Sequence, residues 1–82
     1  MAGFIEFTFL FAEPDEAEAF INDCAPLDYQ AELQPFDGAD DRWAWLVSIL
    51  APLQPGSAAL TAAEVSLRSL ARRHDGHYAG WA

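Results

Sequence analysis

Arg73-His74-Asp75-Gly76-His77-Tyr78-Ala79-Gly80-Trp81-Ala82 is the stretch on which the fold turns. It reads as a basic helix end, a glycine stop and a short aromatic strand. Gly76 suits the left-handed position just past a helix, where a side chain is strained. Tyr78 and Trp81 carry too much apolar surface for a frayed terminus, so the tail is expected to pack. It therefore adds a last strand behind a helix, and the elements before it decide which sheet that strand joins.

Five elements precede it. Phe4 to Phe11 alternates, with Ile5, Phe7, Phe9 and Phe11 on one face of a strand and Phe4, Glu6, Thr8 and Leu10 on the other. Pro14 fits the first turn of a helix, and Asp15, Glu16 and Glu18 suit its positive end. Ala17, Phe20, Ile21 and Cys24 then recur at helical spacing until Pro26, which is expected to stop the helix. Tyr29, Ala31 and Leu33 alternate with Gln30, Glu32 and Gln34, the pattern of a half-exposed edge strand. Asp37-Gly38-Ala39-Asp40-Asp41 is a turn-forming cluster.

Trp43 to Leu50 is apolar on both faces, as in a central strand, and Pro52, Pro55 and Gly56 break it. Ser57 can cap a second helix carrying Leu60, Ala63, Leu67, Leu70 and Ala71. Thr61 and Glu64 have capping-box spacing and offer a later start. Arg68, Arg72, Arg73 and His74 lie towards the helix C-terminus, where the dipole favours cations.

The order βαββαβ predicts an α+β, ferredoxin-like sandwich: an antiparallel sheet with two helices on one face. The first and third strands, the two most apolar, belong in its centre. The other sheet face is bare and receives either Phe4 and Leu10 or the alternative set from the first strand. From the third it takes Trp43 and Trp45, or Ala44, Leu46 and Leu50; the pattern leaves both registers open. Either leaves large apolar groups to be covered by a partner, a twin subunit or the chain's own termini.

At 82 residues the chain is expected to form a single domain, residues 1–82. Its apolar fraction of 52% is ample for a core and argues against disorder. The lone Cys24 cannot form an internal disulfide, which fits a reducing, cytoplasmic setting. No membrane span or signal peptide is read, and Cys24 falls on an apolar stripe as a packing thiol. The charge is divided. Residues 1–41 hold eleven acids and no lysine or arginine, whereas residues 42–82 are net +2, giving −9 in all. That field repels RNA and attracts an arginine- or lysine-rich partner.

No catalytic, cofactor or metal constellation emerges. His74 and His77 flank Asp75 without a completing ligand, and Asp37, Asp40 and Asp41 lack the pattern of a calcium loop. The aromatic strands lack the basic core of an RNA-recognition signature.

The chain resembles the ribonuclease E inhibitor RraB-like family over nearly its whole length. The residues that carry the resemblance are the aromatic strand Phe4–Phe11, Pro14-Asp15-Glu16, the tryptophan strand Trp43–Leu50, Pro52-Leu53 and the ending Gly76-x-Tyr78-x-Gly80-Trp81. It implies a ferredoxin-like, non-enzymatic regulator that binds ribonuclease E outside its catalytic part and alters which RNAs are degraded. One departure is that no acidic stretch follows Trp81; the acids lie in residues 1–41 instead. On this reading Asp15, Glu16, Glu18, Trp43, Trp45, Tyr78 and Trp81 are the candidate protein-binding residues. The rival reading is a dimeric ferredoxin-like sensing or catalytic module with a pocket on its open sheet face.

Overall fold

The computed structural model describes residues 3–38 and 42–82. Its elements are β1 (Ile5–Phe11), α1 (Pro14–Cys24), β2 (Gln30–Pro35), β3 (Trp45–Ala51), α2 (Ala58–Arg73) and β4 (His77–Trp81). The strands pair antiparallel in the order β2-β3-β1-β4, the ferredoxin-like βαββαβ arrangement expected, with β1 and β3 central.

Side-chain alternation assigns the faces. Ile5, Phe7, Phe9 and Phe11 are all buried and pair with Ala51, Ile49, Val47 and Trp45. These rows meet Ala17, Phe20 and Cys24 of α1 and Leu60, Ala63, Leu67 and Ala71 of α2 in one core. Phe20 is its hub, with ring centroids 4.9 Å from Phe9 and 5.2 Å from Phe11. The ambiguous register is thereby settled: Trp45 turns to the helices, and Leu46, Ser48 and Leu50 line the open face.

The structure places the helix ends more closely. Past Cys24 the chain continues through a 3-10 turn, Ala25–Leu27, that contains Pro26, and reverses at Asp28 with φ 59°. Pro26 thus ends the α-helical hydrogen bonding without ending the coil. Ser57 is the true cap of α2: its side chain accepts from the Leu60 N–H at 3.1 Å. Thr61 lies one turn inside, so the later start is excluded. Of the cluster expected to turn between strands, Ala39, Asp40 and Asp41 lie outside the described residues.

The end of α2 departs most instructively. The left-handed residue is Asp75, φ 57°, and Gly76 has no positive φ. Asp75 N–H bonds the Arg72 carbonyl at 3.3 Å and Gly76 N–H bonds that of Ala71 at 2.8 Å, the paired bonds of a Schellman end. Gly76 is needed for closeness instead. A Cβ there would stand 2.5 Å from Cε1 of Phe11.

Cys24 is buried, 2% exposed, and burial lifts its thiol to about 11, with the neighbouring Asp23 carboxylate adding to the effect. At pH 8 the native thiol is therefore almost wholly protonated. Its labelling by a disulfide reagent should be slower than in the urea-unfolded chain by roughly two orders of magnitude. Equal rates would mean that α1 opens readily.

Candidate docking site

The proposed binding residues fall on different sides of the molecule. Asp15, Glu16 and Glu18 occupy the first turns of α1, the helix that Pro14 begins. Asp15 and Glu18 are exposed, and Glu16 is half-buried. Partial desolvation and the nearby Asp75 carboxylate raise the Glu16 carboxyl above its ordinary value. The start of α1 therefore lies beside the end of α2. A second link joins the helices where His74 Nε2 meets the Asp23 carboxylate at 2.6 Å.

The aromatic members separate as well. Trp45 packs against the core on the helix side. Trp43 does not follow it. The Ala44 N–H bonds the Phe11 carbonyl at 3.1 Å, one residue out of step with the Phe11–Trp45 pair. The alternation slips there, and the Trp43 ring stacks on His77, centroids 5.4 Å apart and planes 21° apart. His77 pairs with Leu10, so this stack belongs to the open face.

Tyr78 faces the helices, its ring 5.1 Å from that of Phe9. Its hydroxyl donates to Glu64 at 2.7 Å, and the Arg68 guanidinium carbon lies 5.4 Å from its ring centre. Burial and the Glu64 carboxylate together push the phenol far above its usual range. Tyr78 thus fastens β4 to α2. Trp81, opposite Phe7, is 41% exposed at the end of β4.

The open face, read from the sequence as bare with two registers possible, takes its composition from the strand pairing. Register places three rows across it: Gln30-Leu50-Glu6, Glu32-Ser48-Thr8-Gly80 and Gln34-Leu46-Leu10-His77. In the middle row Ser48, Thr8 and Gly80 form a floor of small side chains, with Glu32 at its β2 end, between walls built on Leu50 and on Leu46 with Leu10. A groove of about 390 Å³ opens at its β2 end, lined by Gln30, Ala31, Glu32, Ser48 and Leu50. The signal was present in the even-numbered positions of β1 and β2. It needed the register to become a surface.

His74 and His77 point to different partners, Asp23 and Trp43. Among the described residues, no three His, Cys, Asp or Glu side chains gather as a metal site would require, and no helix is long and apolar enough to cross a membrane.

No curated protein matches the sequence. The family model described as regulator of ribonuclease activity B (RraB) matches residues 4–82, from the first residues before β1 to the end of the sequence. A βαββαβ chain whose every element falls inside that match belongs to the RraB family.

Proposed function

We propose that this protein is a non-enzymatic, cytoplasmic regulator of RNA turnover that binds ribonuclease E outside its catalytic part. Family membership supports the regulatory role, and the charge distribution carries the mode of binding. A net charge of −9, with no lysine or arginine in residues 1–41, disfavours direct contact with RNA phosphates. The same field draws a basic protein segment towards the molecule and accelerates encounter. Asp15 and Glu18, exposed, and the half-buried Glu16 cluster in the first turns of α1 and act here as steering charges.

The test is calorimetric titration against the non-catalytic region of the host's ribonuclease E at low and moderate salt. Micromolar or tighter binding that weakens with salt is the expected result. Reversing Asp15, Glu16 and Glu18 to lysine shifts the charge by two units at each position, from −9 to −3. The triple variant should bind about tenfold more weakly at low salt, with a flatter salt dependence. Unchanged affinity would show that α1 does no steering. Absence of binding by the unaltered protein at both salts would remove ribonuclease E as the partner.

A further inference from the structure

Steering charge alone holds a complex weakly. Contact has to be made as well. The open sheet face offers apolar groups and charge together. Leu46 and Leu50 are half-buried there, the Trp43–His77 stack stands at one end, and Phe4, 64% exposed, extends the β1 alternation at the other. Glu6 and Glu32 are both exposed and frame the apolar walls. No lysine or arginine lies in the three rows across this face. The three arginines of α2 belong to the opposite, helical layer.

We infer that the open face is the contact surface for a lysine- or arginine-bearing protein segment that also carries apolar side chains. The inference rests on the regulator reading for the identity of the partner, and on charge and shape for the location. Successive rows on one face are roughly 7 Å apart, so the trough over Ser48, Thr8 and Gly80 admits side chains without displacing a wall. Gly80 contributes by having no side chain, and beyond its chain neighbours no atom of the described residues lies within 4 Å of where its Cβ would be. In the groove at β2, the aliphatic stem of a lysine or arginine packs on Leu50 while its head reaches Glu32. Apolar residues of the same segment meet Leu46 and Trp43. A nucleic acid would bring phosphates against Glu6 and Glu32, and a second copy would bring matching carboxylates.

Amide-resolved NMR titration of the full chain tests this with two probes at moderate salt. One is a synthetic peptide alternating arginine and leucine; the other is the non-catalytic region of ribonuclease E. Shifts centred on Glu6, Thr8, Gln30–Glu32 and Ser48–Leu50 with both probes are expected. The double variant Glu6→Lys, Glu32→Lys should weaken peptide binding by about tenfold while keeping the native spectrum. Should that variant fail to fold, the neutral pair Glu6→Gln, Glu32→Gln provides the same comparison.

Ribonuclease E binding whose shifts map to α1 would overturn the contact surface and leave the regulator reading standing. Peptide shifts on the open face without ribonuclease E binding would uphold the surface and dismiss that partner. Shifts of these amides with RNA, or with protein concentration alone, would give the face to a different occupant and overturn the inference.

Discussion

Replacing Phe20 by alanine is expected to cost about 3–5 kcal/mol and to bring the protein close to unfolding at room temperature. Phe20 is fully buried and is the side chain of α1 that touches two rings of β1 at once. Its removal leaves a cavity that neither neighbour can fill, because Phe9 and Phe11 are themselves fully buried in a central strand. A chain of this length is stabilised by roughly 4–12 kcal/mol, so the loss is a large share of the total. Urea unfolding followed by tryptophan fluorescence should show the midpoint falling sharply with little change in slope. Phe20→Leu keeps most of the volume and should lose much less. If alanine cost under 1 kcal/mol, α1 would not be packed on β1 as described.

The second large effect is expected at Gly76. Alanine there puts its Cβ 2.5 Å and 2.7 Å from ring carbons of Phe11 and 3.2 Å from the Ala71 carbonyl oxygen. Phe11 cannot swing away, since its ring is fully buried beside Phe20. Either the ring shifts within the core or the end of α2 lifts, and overpacking of this kind costs about 1–3 kcal/mol. Asp75→Gly should do the reverse. It relieves a left-handed φ of 57° and is expected to hold or slightly raise the melting temperature. Thermal melts of the two variants therefore separate two uses of glycine, freedom of the backbone and absence of a side chain. A melting temperature for Gly76→Ala equal to that of the unaltered protein would contradict the close approach to Phe11.

That pair also shows how the sequence can mislead. A glycine after a basic helix end invites the left-handed assignment, and the placement of the stop was legible to within one residue. Which residue turned, and why glycine was needed, depended on a phenylalanine some sixty positions earlier. The architecture was legible for a plainer reason. Odd positions of β1, helical spacing in α1 and α2, and apolar residues on both faces of β3 each match one kind of element. Their order leaves few topologies open.

The candidate site was less legible. Trp43 and Trp45 share a parity in the sequence, yet a one-residue slip at Ala44 sends them to opposite sides of the sheet. Tyr78, expected to pack and also a candidate binding residue, hydrogen-bonds Glu64 and lies against Arg68, partners that its own strand does not reveal. Conversely, Glu6, Glu32 and Leu50 are unremarkable along the chain and become neighbours only through strand register. Local patterns report what a residue's own element prefers. A binding surface is made of residues from different elements.

Glu6 and Ala82 exchange two backbone hydrogen bonds, each 3.0 Å long. A central strand of the sheet therefore lacks one of its two neighbours until the last residues of this sequence are available. Because β4 comes last of the four strands along the chain, β1 waits with an open edge until His77–Trp81 can pair with it. Folding of the sheet is thus expected to finish only when β4 docks on β1, and pairing of strands so far apart in sequence makes that step slow. Over that interval its most aromatic segment is exposed to chaperones, and any shortening that removes β4 would make the exposure permanent.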